Sequence, residues 1–182
     1  MIPFAPDGSA AGTSVTALAP PAGAPVTGNL TFSTPLEHFK IGNGWDTWSH
    51  GYKGDVYSTD QSDLLIDLPQ GTRAFYLYIQ PNTKFTFEFK AGSSATVALL
   101  DIDGNSGARY VGFYTDSPAY ESLKWVYVLQ NSGESDGFAV GEFGINGTVV
   151  PEPSTYLAGL LVLGLVGFEG WRSRRSQKQA CN

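Results

Sequence analysis

Apolar and polar residues alternate with a period of two along much of residues 30–145, and this alternation constrains the fold more than any other feature of the chain. Phe85, Phe87 and Phe89 alternate with polar residues, which is the pattern of a strand with one face in a core and the other in water. The same region shows no long stretch with the 3.6-residue period of an amphipathic helix. The region therefore predicts an all-β domain.

Turns rich in glycine, asparagine, aspartate and proline divide this region into nine candidate strands. Two of them, residues 74–80 and 123–131, are apolar on both faces, which predicts central positions in the sheet and places Trp125 in the core. This number of short strands favours an antiparallel β-sandwich or jelly roll. The remaining candidates are residues 36–41, 56–58, 64–68, 85–89, 95–101, 108–115 and 138–145.

Composition separates the chain into three parts. Residues 1–28 are mostly alanine, proline, glycine, serine and threonine, and they predict a linker ahead of a β-sandwich domain at residues 29–147. The opening lacks the basic start and apolar run of a secretory signal peptide, so we expect the true start to lie upstream. Residues 148–182 form the third part, which contains the only cysteine, Cys181, so an internal disulfide is excluded.

The charge balance separates the body of the chain from its end. The full chain has a net charge of −6, and residues 151–182 hold four of its eleven basic and two of its seventeen acidic residues. Seven basic and fifteen acidic residues remain, which leaves −8 on residues 1–150. Such a body disfavours binding to nucleic acid or to anionic membrane surfaces.

An apolar run at residues 156–171 lies between a proline-rich motif and a basic tail. It has no polar face, which disfavours the alternative of a core helix. As a helix its sixteen residues would reach roughly 24 Å, short of the roughly 30 Å hydrocarbon core, so it predicts a short transmembrane helix. The basic tail, residues 172–182, would stop the chain from crossing the membrane completely, through its arginines Arg172, Arg174 and Arg175.

The motif Pro151, Glu152, Pro153 within residues 151–155, the glycine- and leucine-rich run and the basic tail together resemble the PEP-CTERM sorting signal of bacteria that make extracellular polymer. In that family the motif is recognised by an exosortase, a membrane-embedded cysteine protease. The resemblance implies an exported protein that is anchored in the inner membrane and then reaches the cell surface or extracellular matrix. It covers about a sixth of the chain and implies no activity for the rest.

A segment dense in glycine and aromatic residues, residues 42–57, is the first candidate for ligand binding. Exposed rings beside polar side chains suit a glycan, because flat apolar faces stack on sugar C–H groups. Trp45, Trp48 and Tyr52 are the candidate contacts. The alternative, which we favour, is that the tryptophans plug the open end of the sandwich, since buried aromatic rings are the common case.

Oxygen-bearing side chains alternate at Asp101, Asp103 and Asn105, where a calcium ion could bind. The pattern departs from a calcium-binding EF-hand loop at Ser106 and Gly112, where that loop needs glycine and glutamate. A hairpin turn explains the segment better. Apart from this calcium alternative, the sequence predicts no cofactor.

Residues that could support catalysis are few. The only histidines, His38 and His50, have no nucleophile in a recognisable motif, and only carboxylate pairs such as Glu88 and Glu142 could serve a glycosidase. We therefore predict a non-catalytic surface or matrix protein. One alternative is a carbohydrate-binding module for the cell's own exopolysaccharide, and a second is a glycan hydrolase.

Overall fold

The structure is a computed structural model that describes residues 1–92, 98–115, 122–131 and 137–147. These residues contain twelve strands and one short 3-10 helix, Gly104–Ser106, so the all-β prediction is confirmed. The strands are β1 (Ile2–Pro3), β2 (Ser14–Leu18), β3 (Leu30–Ile41), β4 (Gly44–Trp45), β5 (Asp55–Thr59), β6 (Asp63–Asp67), β7 (Thr72–Pro81), β8 (Lys84–Ala91), β9 (Ala98–Asp103), β10 (Arg109–Tyr114), β11 (Trp125–Asn131) and β12 (Phe138–Gly147).

The nine predicted strands all overlap observed ones, and the largest difference is β3, which begins six residues before the predicted start. Hydrogen-bonded neighbours follow the order β10-β7-β12-β5-β3-β6-β11-β8-β9, with β1, β2 and β4 added at the side. All pairs are antiparallel except the two-residue pair of β4 with β3. Both strands predicted to be central, β7 and β11, have a neighbour on each edge.

Strand β3 belongs to both halves of the sheet. Its residues Glu37, His38 and Phe39 pair with β5, whereas Thr31 and Phe32 pair with β6. Between them the register against β2 shifts, and the bulge contains Pro35, which has no N–H to donate. We call β10, β7, β12 and β5 the first half-sheet, and β6, β11, β8 and β9 the second.

Inward side chains of the two half-sheets form one apolar core. Phe75 and Leu77 come from the first half-sheet, and Phe87 and Val128 from the second, and each of the four is fully buried. Because both half-sheets contribute one face to the same cluster, the domain is an antiparallel β-sandwich, as the sequence predicts.

A bulge in β12 decides which of its residues enter the core. Between Gly141 and Gly144 the chain advances three residues while β7 advances two. The extra residue is Glu142, whose φ is 50°. Val140 faces the core before the bulge and Phe143 after it. The bulge therefore moves Glu142 to the outer face and Phe143 to the centre of the sandwich.

The structure differs from the linker prediction for residues 1–28. Strand β1 extends the first half-sheet, with Ile2 paired to Ile145 of β12, and the N–H of Phe4 donates to the carbonyl of Phe143. Strand β2 pairs along β3. Small residues and prolines can occupy edge strands as well as linkers, so composition alone could not separate the two.

Trp125 is a second correction. The core side of β11 carries Val126 and Val128, which are 0% exposed, whereas Trp125 is half-buried on the opposite face. The sequence could not choose the inner face of β11, because both faces of this strand are apolar. The prediction that Trp125 lies in the core is therefore wrong.

Gln130, which also lies on β11, is expected to lower the stability of the domain. Its side chain is 2% exposed, and within the described residues neither atom of its amide has a hydrogen-bond partner. Gln130→Met, which keeps the volume and removes the amide, should raise the free energy of unfolding by about 1–2 kcal/mol in urea titrations.

Gln80 supplies the matched control. Its buried amide donates to the Thr47 hydroxyl and the Gly104 carbonyl and accepts from the Trp45 indole. Gln80→Met should therefore lower stability. A Gln130→Met protein that is less stable than the native one would show that the amide of Gln130 has partners in solution.

Across the described ranges, no helix is long and apolar enough to cross a membrane. The predicted sorting segment at residues 148–182, including the processing motif, the run 156–171 and the three arginines, lies outside the described residues.

Candidate functional site

The segment between β3 and β5 folds over the outer face of the sheet. Trp45, Trp48 and Tyr52, which we call the tryptophan cap, are half-buried there. They pack on a small apolar patch that is separate from the main core and consists of Ile41, Val56 and Ala139, with Phe39 beside it. The cap thus lies on an outer face of the sandwich rather than at its open end, which corrects the plug interpretation.

The polar atoms of the cap are already engaged. The indole N–H of Trp45 donates to Gln80 and that of Trp48 donates to Glu142, each at 3.2 Å. Burial, with the negative charges of nearby carboxylates, raises the pKa of Tyr52 to about 12, so its hydroxyl stays protonated. Half-buried rings with satisfied donors are more typical of a supporting layer than of a bare ligand surface.

Three tyrosine rings form the more exposed aromatic surface. Tyr76 and Tyr78 project outward from β7, and Tyr110 projects from the neighbouring strand β10. The ring centroid of Tyr110 lies 5.4 Å from that of Tyr76 and 5.5 Å from that of Tyr78. Tyr110 is 52% exposed. We call these three residues the tyrosine face.

Glycines beneath the rings let two of the tyrosines lie over the sheet. The ring of Tyr76 passes directly over Gly144, where even a methyl group would collide with it. The outer end of Tyr110 lies over Gly112 in the same way. Tyr76 and Tyr110 are inclined by only 35° to each other, whereas Tyr78 stands at 74° to Tyr110. The rings of Tyr76 and Tyr110 therefore form a shallow surface along the sheet, and the ring of Tyr78 stands upright at its side.

A hydrogen-bonded pair, His50 and Glu142, lies beside Tyr78. The Nε2 atom of His50 lies 2.8 Å from Oε1 of Glu142, and the His50 ring is 5.0 Å from that of Tyr78. Burial and the charge of Glu142 raise the pKa of both Tyr76 and Tyr78, so their hydroxyls remain protonated. The site thus combines apolar ring faces with a carboxylate, an imidazole and phenolic hydroxyls.

The backbone of this pair is strained. His50 has a φ of 40° and Glu142 a φ of 50°, and they are the non-glycine residues with positive φ in the described part of the chain. Such conformations cost of order 1–3 kcal/mol each and persist only where the surrounding structure holds them. Here the bulge in β12 and the hydrogen bond from Trp48 hold Glu142, and His50 is tied to Glu142 through its side-chain contact.

The tyrosine face could be read only partly from the sequence. The apolar pattern of residues 74–80 predicts a central strand and does not mark Tyr76 and Tyr78 as ligand contacts, and Tyr110 is not among the contacts that the sequence predicts. The informative pattern is Tyr110, Gly112 and Tyr114, because tyrosines at alternate positions around a glycine place bare rings on one face of a strand.

The calcium candidate forms a turn. Asp103 accepts hydrogen bonds from the backbone N–H and the side-chain amide of Asn105, and Asp101 accepts one from the Thr86 hydroxyl. The bonds to Asp103 cap the 3-10 helix that begins at Gly104, between β9 and β10, whereas the bond to Asp101 links β8 to β9. The segment is a turn, but the hairpin prediction is wrong, because β9 pairs with β8 and β10 pairs with β7. Calcium binding stays a prediction.

The carboxylates proposed for a hydrolase are not brought together. Glu88 lies on β8 of the second half-sheet, where its Oε1 is 2.6 Å from Nζ of Lys90. Glu142 lies on the outer face of the first half-sheet. The two half-sheets face opposite sides with their outer surfaces, so these two groups share no cleft.

Comparisons with known proteins give little. No protein-family model and no curated protein matches the chain. Among solved structures, it is similar to TmCBM61, determined in complex with β-1,4-galactotriose, with 10% sequence identity and a TM-score of 0.42, over 62% of this chain and 81% of that one. A likeness of this size carries no conclusion about function.

Proposed function

We propose that residues 1–147 form a non-catalytic polysaccharide-binding module and that the tyrosine face is its binding surface. The observation that carries the proposal is the arrangement of Tyr76 and Tyr110, whose rings lie over glycines with Tyr78 upright beside them. Flat rings stack on the C–H faces of pyranose sugars, while neighbouring polar groups bind the hydroxyls.

The charges around the tyrosine face favour a neutral polysaccharide. Residues 1–150 have a net charge of −8, and the carboxylate of Glu142 lies at the edge of the tyrosine face. An acidic sugar would be repelled by both. Glu142 is instead placed to accept hydrogen bonds from sugar hydroxyls, since a carboxylate has acceptor sites beyond those used by Trp48 and His50.

In this proposal the tryptophan cap does not contact the polysaccharide but stabilises the neighbouring tyrosine face. Trp48 donates to Glu142 and so holds the carboxylate in place. Trp45, Trp48 and Tyr52 are the candidate glycan contacts predicted from the sequence, and they remain the second candidate surface. It differs from the tyrosine face in a measurable way, because removing a cap ring exposes the apolar patch that it covers.

A glycan array with the full chain, followed by affinity electrophoresis in gels containing the polysaccharides that bind, tests the function. We expect retention by at least one neutral polysaccharide and little by acidic ones. Failure to bind any polysaccharide would contradict the proposal and would leave a purely structural matrix role.

The C-terminal segment gives a separate proposal about location. Residues 148–182 direct the protein to an exosortase and through the inner membrane to the cell surface or matrix. The support is the resemblance of the Pro151, Glu152, Pro153 motif, the apolar run and the arginines to the PEP-CTERM sorting signal.

Glu152→Ala should leave unprocessed protein in the inner membrane, because the motif, the apolar run and the basic tail must act together. Immunoblots of fractionated cells measure this, with Ser154→Ala as a control next to the motif. Unchanged size and unchanged release of the Glu152→Ala protein would remove the sorting assignment.

A further inference from the structure

A polar cluster lies beneath the N-terminal segment and is not part of the tyrosine face. It consists of Asp7, His38 of β3 and Asp55 of β5, which lie far apart in the sequence. The side chain of His38 is 0% exposed, that of Asp55 is 6% and that of Asp7 is 14%. Ionisable groups buried to this degree need partners or a ligand.

One possible ligand atom from each residue lies close to those of the other two. The Nε2 atom of His38 lies 2.8 Å from Oδ1 of Asp55 and 3.7 Å from Oδ1 of Asp7. All three atoms lie within 4.8 Å of one another. Adjacent ligands held about 2.1 Å from one metal ion are about 3.0–3.5 Å apart, so a small adjustment would bring all three to one ion.

The other polar atoms of these three side chains are held by hydrogen bonds. His38 donates from Nδ1 to the carbonyl of Ala10 at 3.1 Å. The hydroxyl of Tyr57 donates to Oδ2 of Asp7 at 2.8 Å, and the N–H of Asp7 donates to Oδ2 of Asp55 at 3.2 Å. Metal-binding imidazoles and carboxylates are oriented by outer hydrogen bonds of this kind.

The charges suit a divalent cation. The carboxylate of Asp7 accepts hydrogen bonds from the backbone N–H of Ser9 and from the Tyr57 hydroxyl, and both bonds favour the negatively charged form. Two carboxylates and a neutral imidazole together balance a charge of two. Lys40 lies 3.8 Å from Asp55, and its half-exposed side chain can withdraw when a cation enters.

We propose that Asp7, His38 and Asp55 bind a divalent transition-metal ion, for which zinc is the first choice. One imidazole with two carboxylates suits zinc better than calcium or magnesium, which prefer oxygen ligands alone. In the bound state His38 keeps the Nδ1 proton that it donates to Ala10 and offers an unprotonated Nε2 to the ion, and any proton held between Nε2 and Asp55 in the metal-free protein leaves to solvent. The ion would join the N-terminal segment to β3 and β5.

Isothermal titration and zinc-edge X-ray absorption on the full chain test the site. A Cys181→Ser background removes the only thiol, which could bind zinc by itself. We expect one ion per chain, with one nitrogen and two oxygen neighbours from the protein at about 2.0–2.2 Å. The melting temperature should rise with zinc and return when a chelator is added.

Variants locate the ion. His38→Gln and Asp7→Asn should each weaken zinc binding by at least about tenfold, whereas His50→Gln, at the other histidine, should leave it unchanged. Asp7→Asn covers the case in which the buried His38 variant does not fold, because Asp7 lies at the edge of the cluster. Absence of zinc binding, or undiminished binding by Asp7→Asn, would show that the cluster is only a hydrogen-bonded ion-pair network.

Discussion

Phe143→Ala is expected to lower the free energy of unfolding by about 3–5 kcal/mol. Phe143 is 2% exposed, and its ring stacks on those of Tyr57 and Phe75, with centroids at 5.8 Å and 5.9 Å. It also contacts Phe4 of the N-terminal segment. The truncation would leave a cavity lined by rigid rings that cannot collapse to fill it. Urea unfolding followed by tryptophan fluorescence measures the loss.

Two further variants serve as controls for this measurement. Phe143→Leu keeps most of the volume and should cost less than Phe143→Ala. Tyr114→Ala removes a ring that is 79% exposed and should change stability by less than about 0.5 kcal/mol. A cost for Phe143→Ala near that of Tyr114→Ala would mean that the bulge in β12 does not place Phe143 in the core.

Tyr110→Ala is expected to weaken polysaccharide binding by about 1–2 kcal/mol, or roughly 5- to 30-fold in Kd. The ring of Tyr110 is half exposed and lies over Gly112, so its loss should hardly change the melting temperature. Affinity electrophoresis and thermal melts on the same protein separate the two effects.

The matched control is Tyr127→Ala, since Tyr127 is a partly exposed tyrosine on β11 of the second half-sheet. Its removal should leave binding unchanged. Trp45→Ala should mainly lower the melting temperature, because Trp45 covers the apolar patch beside Val56. If Tyr110→Ala binds like the native protein and Trp45→Ala does not bind, the tryptophan cap is the glycan surface instead.

Local chemistry was enough to predict most of the strands. The alternation around Phe87 and the turns near Pro69 and Pro81 depend on neighbouring residues only, so the sequence shows them directly. Segments without a clear alternation could not be assigned to strands from the sequence. The opening residues look like a linker in composition, and only pairing with β12 and β3 makes strands of them.

The candidate sites depend on contacts between distant parts of the chain. Tyr76 and Tyr110 become neighbours through the pairing of β7 with β10, and Asp7 and Asp55, 48 residues apart, meet beneath the N-terminal segment. Nothing in the spacing of these residues predicts such contacts, because no short motif contains them.

By itself the sequence determined that this chain forms short antiparallel strands around an apolar core, since a period of two allows one face of each strand to be buried. Only the tertiary structure decided which faces those are. The bulge at Glu142 reverses the inner and outer sides of β12, and strand order decides which outer side chains meet. Both follow from packing between strands far apart in the chain, whose energy depends on the whole sandwich rather than on any one segment.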